Sequence, residues 1–310
     1  MIPQISEFSY GFALTNELVG WLSLAAAPIF PSLLEEGKKG GGYDMKFEKP
    51  GIPMYLQFKR AEYMIYPSAK QFREIKASPH SITLPYFRFY LMQKNQSQQH
   101  QMLFELDNGK NAVFYAAPRF HRTSEINTAW TSKTVASRSI FVAPSQIGIL
   151  PDAQKHCVAY DDSSAFFCSV PRPLEVLSFE GVQARLASDI KRDDRPLRMV
   201  IDDALNEAVE IRNRPRHAPQ AEVTHALFDD LSYGAPSDLL ALRVQKRGVQ
   251  QMRPSVRGAA KGASPPTVPP QIGEVQEPRE RTPDEQALER LAEIAMRDFD
   301  AQLVIVQTRE

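Results

Sequence analysis

Residues 43–49, YDMKFEK, and 52–59, IPMYLQFK, alternate polar and apolar side chains on either side of a Pro50-Gly51 step. Alternation with period two marks a strand with one buried face, and a Pro-Gly step between two such runs predicts a turn. A hairpin centred on Pro50-Gly51 sets Asp44 against Gln57, Lys46 against Tyr55, Met45 against Leu56 and Phe47 against Met54. One face then collects Met45, Phe47, Met54, Leu56 and Phe58, and the other Asp44, Lys46, Tyr55, Gln57 and Lys59. A slip of one residue would mix the two sets. Directly opposed Cβ atoms lie about 4.5–5.5 Å apart, so this register predicts a carboxylate, an amide oxygen and an ammonium within reach of one ion or phosphate.

Metal-assisted hydrolysis uses such a trio. A hard cation such as Mg²⁺ takes oxygen ligands, few of them carboxylates, and keeps several waters. Asp44, the Gln57 side-chain oxygen and the Phe58 backbone carbonyl are the expected ligands, with Mg²⁺ or Mn²⁺ as the cofactor. Lys59 is placed to orient the attacking water and offset phosphate charge. The order of elements is a helix with Glu, a strand with Asp, a hairpin, a strand with Gln-x-Lys, then a helix and a strand. It resembles the core of the restriction-endonuclease-like PD-(D/E)xK nuclease superfamily. The resemblance covers residues 6 to about 145. It implies that Asp44 is the metal-binding aspartate, Gln57 the second acidic position and Lys59 the lysine. Glu17 is the first choice for the helix glutamate, and Glu7 the second. It departs from the common pattern at Gln57, where glutamate is usual; a QxK version occurs in some restriction and phage-defence nucleases. The implied function is phosphodiester hydrolysis of nucleic acid, DNA first, in restriction or anti-phage defence. The alternatives are a catalytically degenerate nuclease-like subunit that binds nucleic acid or assembles, and an adaptor docking a protein partner through its C-terminal region. A solvated ribbon face would show the same three polar residues.

The expected fold class is α/β (α+β): a mixed sheet flanked by helices, then a helical region and a Pro-rich linker. Residues 1–171 form the nuclease-like core with hairpin extensions, 172–252 a mainly helical region, 253–283 a flexible Pro-rich linker, and 284–310 a helix and an edge strand. Ser6 caps a helix read as running from Glu7 to Ala27. "LPYFRFYLM" (84–92) and "SIFVAPSQIG" read as strands. "MLFELDNGKNAVFYAAP" (102–118) reads as a hairpin about Asn108-Gly109. "TSEINTAWTSKTVASR" reads as a helix. "HCVAYDDSSAFFCSV" reads as a hairpin whose centre at Asp162-Ser163 sets Cys157 opposite Cys168. Helices are expected over 173–192, 196–213, 219–250 and from Pro283 to Arg297.

Lys+Arg and Asp+Glu both number 37, so nucleic-acid binding must come from local patches rather than bulk charge. Arg119, His121 and Arg122 follow a strand end, where phosphate contacts are common, although a solvated basic turn has the same look. The acid-free run from Arg243 to Lys261, with Lys246 and Arg247 at its centre, can hold a nucleic-acid backbone or lead into a solvated linker. The apolar run Leu18–Phe30 is shorter than the roughly 20 residues a membrane span needs. No basic segment precedes it, which argues against a secretory leader. Two cysteines supply neither a disulfide framework nor a zinc set, so they read as packed thiols. The expectation is a cytoplasmic protein with no membrane partner.

Overall fold

The computed structural model describes residues 1–20, 24–29, 45–216 and 281–308. They form two five-stranded sheets. In chain order the elements are α1 (Glu7–Val19), β1 (Leu24–Ile29), β2 (Gly51–Phe58), β3 (Glu62–Met64), α2 (Lys70–Ala77), β4 (Tyr86–Tyr90), α3 (Gln99–Leu106), β5 (Ala112–Pro118), α4 (Thr123–Thr131), β6 (Ser139–Val142) and α5 (Pro144–Ile147). β7 (Cys157–Tyr160), β8 (Ala165–Phe167), β9 (Arg172–Pro173), α6 (Phe179–Arg192), α7 (Leu197–Asn213), α8 (Pro283–Arg297) and β10 (Gln302–Thr308) follow. The class is mixed α and β, a mixed sheet flanked by helices. No described helix is long and apolar enough to cross a membrane.

The main sheet runs β1-β10-β2-β5-β6. β2 is its middle strand, antiparallel to β10 and parallel to β5, with Tyr55 opposite both Leu303 and Val113. Its residues point alternately into two cores. Met54 and Leu56 face α1, α4 and α6, while Tyr55 faces α3, α7, α8 and the second sheet. A strand buried on both faces reads as almost continuously apolar, which is how GIPMYLQF fits the centre of a sheet. The second sheet, β3-β4-β7-β8-β9, covers part of the Tyr55 face and packs α2 on its far side through Phe72 and Ile75.

Several elements fall where the sequence puts them. The β7–β8 hairpin has the expected register, with Val158 opposite Phe167. The Cys168 N–H donates to the Cys157 carbonyl at 3.0 Å, and both thiols are buried and free. α8 spans Pro283–Arg297 because Thr282 and Glu285 form a reciprocal capping box and Pro283 occupies the first turn. α4 and β4 also form, and of the strand read over 139–148 the first half is β6 while the second half is the helix α5. α6 and α7 form too, and they pack on the main sheet rather than standing apart.

Four expectations are corrected. The hairpin about Pro50-Gly51 does not form: residues 45–49 carry no strand, and Lys46 exchanges hydrogen bonds with Gln307 (N–H to Oε1 3.1 Å, carbonyl from Nε2 3.0 Å) instead of pairing with Tyr55. A distant partner, β10, takes the edge of β2 that the local arm would have used. The C-terminal strand is therefore interior rather than an edge. α1 stops at Val19 with Gly20 as its cap, and the apolar residues after it become β1 against β10; a short apolar run reads as either element until its partner is known. Residues 99–106 are helical, with Gln99, His100, Leu103 and Leu106 buried at helical spacing, so of the expected Asn-Gly hairpin the first arm is lost, while the Gly109 bend, at φ 88°, and the second arm, β5, remain. The expected helix 219–250 and the Pro-rich segment up to residue 280 lie outside the described residues.

Gly11 is the tightest contact between α1 and the sheet. A Cβ built there would sit 2.5 Å from Phe58 Cδ2 and 2.7 Å from Cε2, and Phe58 is also held edge-on by Tyr10 at 5.9 Å between centroids. Gly11→Ala is expected to destabilise the protein by about 1–3 kcal/mol despite alanine's better helix propensity. Adding Phe58→Leu is expected to restore part of the loss, with thermal unfolding as the measurement.

Candidate active site

The last residues of β2 carry polar groups into an otherwise apolar layer. Gln57 and Lys59 are 1 % and 7 % exposed, on the same face of the sheet as Tyr55. Asp300 meets them from the turn that joins α8 to β10. It has a left-handed backbone at φ 50°, a conformation aspartate and asparagine tolerate better than most residues. Its Oδ2 accepts from Gln99 Nε2 of α3 at 2.8 Å and from Gln57 Nε2 at 3.3 Å. Asp300 is exposed, so an acid open to solvent stands over a buried amide floor.

Gln57 Oε1 is buried and has no hydrogen-bond partner. Buried amide oxygens are rarely left so, because losing water without a replacement costs about 1–3 kcal/mol. An oxygen-seeking ligand beside Asp300 would satisfy it. Among the described residues no three His, Cys, Asp or Glu side chains gather as a metal cluster. The donors here are one carboxylate, one orphaned amide oxygen and backbone carbonyls. That set fits a hard, partly hydrated cation such as Mg²⁺ and excludes a tetrahedral Cys/His zinc site.

The Lys59 ammonium lies 5.7 Å from the centre of the Tyr115 ring. Burial pulls its pKa down, and the charges of Glu7 and Asp300 oppose that fall. Tyr115, opposite Gln57 on β5, hydrogen-bonds His100 Nδ1 at 2.7 Å. His100 Nε2 lies 2.7 Å from the Gly148 carbonyl, which can only accept. The neutral ring is therefore protonated on Nε2, and Tyr115 donates to Nδ1. Burial holds the His100 pKa below its ordinary value, and Lys59 adds to the depression.

The structure brings together only part of the expected set. Gln57, Phe58 and Lys59 stand together at the end of β2, while Asp44 lies outside the described residues. Glu17 points elsewhere: its carboxylate accepts the backbone N–H groups of Val135 and Ala136 at 2.7 and 2.8 Å, pinning the loop before β6. The second-choice glutamate, Glu7, is the one near the site; its Oε1 takes the Arg60 N–H at 3.2 Å. Ten residues of helix separate the two glutamates by about 15 Å. Of the expected nucleic-acid contacts, Arg122 is exposed. Arg119 is half-buried, with Nη1 3.5 Å from the Ser139 carbonyl. His121 is buried and stacked on Tyr63 at 4.3 Å; its backbone N–H and that of Arg122 donate to Glu125 at the start of α4. Lys246 and Arg247 lie outside the described residues. Asp300 and Gln99 were missed because nothing local marks them; their role follows from the β2–β10 pairing.

The chain matches no family model, no curated protein and no solved structure.

Replacing Lys59 by methionine separates a functional from a structural lysine. A buried ammonium held for chemistry costs stability, so Lys59→Met is expected to stabilise the protein by about 1 kcal/mol or more at pH 7. With its folded pKa lowered, Lys59 is still protonated in the unfolded chain when the folded chain has lost the proton. Its contribution therefore makes stability rise with pH, from the lowered folded value up to the ordinary 10.5. Urea titrations across that window should show the rise in the wild type, and Lys59→Met should lack that component. Destabilisation by the substitution would make Lys59 a structural residue.

Proposed function

We propose that the protein is a metal-dependent phosphodiester hydrolase acting on nucleic acid, with Gln57 of β2 and Lys59, just past its end, at its centre. The observation that carries this reading is the orphaned Gln57 oxygen beside an exposed carboxylate and a buried lysine. The spatial pattern also supports it. The Gln-x-Lys strand is parallel to β5, which the chain reaches through β3, α2, β4 and α3, and antiparallel to β10, which follows the turn carrying Asp300. This is the neighbourhood that the nuclease resemblance implies, with Asp300 in the place given to Asp44. Restriction or anti-phage defence is the setting the resemblance implies for such an activity.

Asp300, the Gln57 oxygen and the Phe58 carbonyl would hold Mg²⁺ or Mn²⁺. Bound there, the ion would polarise the phosphoryl oxygen and acidify a water. Lys59 orients that water and offsets charge on the phosphate. Gln99 fixes the Asp300 carboxylate through Oδ2 and leaves Oδ1 available. The low-charge ligand set favours a second reading, a nuclease-like subunit that binds nucleic acid without cutting it.

Plasmid and oligonucleotide cleavage with Mn²⁺ tests the reading, comparing wild type with Asp300→Asn, Lys59→Met, Asp44→Asn and Glu17→Gln. Asparagine keeps the left-handed turn at position 300, so the fold should survive. Loss of at least about 100-fold in rate is expected for Asp300→Asn and Lys59→Met, in line with removal of a transition-state electrostatic partner. Glu17→Gln is expected to keep its activity. Loss in Asp44→Asn but not in Asp300→Asn would return the carboxylate role to Asp44. Equal activity in all the proteins would reject hydrolysis at this site. No cleavage, with Mn²⁺ binding by calorimetry also absent, would favour the binding subunit.

A further inference from the structure

α1 and α4 lie side by side and point the same way. Near their starts, Thr123 Oγ1 donates to the Gln4 carbonyl at 3.5 Å; at their far ends, Glu17 holds the two N–H groups just past α4. Their shared outer surface carries three large aromatic rings facing solvent: Phe8 83 %, Phe12 58 % and Trp130 49 % exposed. Phe12 and Trp130 stand edge to face, 6.1 Å between centroids. The helices lie on the opposite face of the sheet from Gln57 and Lys59, and the start of the row comes to the end of β2, where the Glu7 carboxylate accepts the backbone N–H of Arg60.

Charge narrows the occupant. The two helices hold three acids, and each accepts backbone N–H groups: Glu7 from Arg60, Glu17 from Val135 and Ala136, Glu125 from His121 and Arg122. Glu7 is the one exposed acid on this surface among the described residues, and it faces Arg60. Arg122 and Lys133, both exposed, bracket the two ends of α4, and the outer side of α4 between them is rich in serine, threonine and asparagine. Flat rings in an acid-poor field edged by cations and hydroxyls suit a polyanion that offers flat faces of its own. Base faces are open only in an unpaired strand, and each stacked base contributes about 1–3 kcal/mol.

We propose that the α1–α4 surface is a stacking track for single-stranded nucleic acid, with its Phe8 end at the end of β2. The choice of nucleic acid rests on the hydrolase reading above. Phe8, Phe12 and Trp130 stack bases, while Arg60, Arg122 and Lys133 hold phosphates.

Fluorescence anisotropy of labelled oligothymidylate and oligouridylate, with a duplex of equal length, tests the track on the full chain in EDTA, where no cleavage occurs. Wild type is expected to bind the single strands more tightly than the duplex, and more weakly as salt rises. Phe8→Ala with Phe12→Ala, and separately Trp130→Ala, are each expected to weaken single-strand binding about tenfold, the equivalent of 1.4 kcal/mol. Exposed positions should leave the melting temperature unchanged. Absence of single-strand binding, preference for the duplex, or variants that bind as well as wild type would overturn the proposal. So would a fall in mass by light scattering in the double variant with binding unchanged, which would make the surface a self-association face. Binding that persists in a protein unable to cleave with Mn²⁺ would reject the hydrolase and leave the track standing.

Discussion

The structure depends on β2 being clamped on both edges. β10 hydrogen-bonds one side and β5 the other, and both faces are covered. Every polar side chain on this strand must find a partner inside the protein, because water does not reach it. Gln57 and Lys59 enter the dry layer beside the Tyr55 hydroxyl, and the groups around them come from four separate stretches of chain: Glu7 before the strand, Gln99 and Tyr115 after it, and Asp300 at the far end. Seating β10 beside β2 builds the middle of the sheet and delivers the carboxylate. Fold and site therefore share one interaction.

The end of β2 groups three features that do not favour folding. A lysine is kept buried with its pKa depressed, an amide oxygen has no partner, and an aspartate holds a left-handed backbone. Each is unfavourable for folding, and grouped perturbations of this kind gather where chemistry is done. In the same layer Tyr160 donates to the Pro118 carbonyl at 2.7 Å and His100 is bonded through both nitrogens, while the buried Tyr55 hydroxyl, two residues before Gln57, is also without a partner.

What could be read from the sequence follows the range of the interactions that decide each element. The Gln-x-Lys pair was legible because two residues apart on a strand must share a face. The Cys157–Cys168 register was legible because a tight turn sets it arithmetically, and the Pro283–Arg297 helix because its cap is local chemistry. The hairpin about Pro50-Gly51 obeyed the same local arithmetic and still failed. Period two says that a segment is a strand, not which strand lies beside it, and β10 is about 250 residues away along the chain. Asp300 was illegible for that reason. Glu17 was favoured over Glu7 because both lie on one helix; only the direction in which α1 docks, fixed by Gly11 against Phe58, shows which end approaches Lys59. The aromatic track was invisible for a related reason, since Trp130 joins Phe8 and Phe12 only once α4 lies beside α1.

The central claim is that Asp300 and Gln57 form one oxygen-lined cation site at the end of β2. Anomalous diffraction from crystals grown with Mn²⁺ tests it directly. The account predicts a single strong peak at bonding distance from an Asp300 carboxylate oxygen and the Gln57 side-chain oxygen, with Lys59 beside it. Gln57 Oε1 paired to protein or an ordered water, with no manganese peak near Asp300, would contradict it.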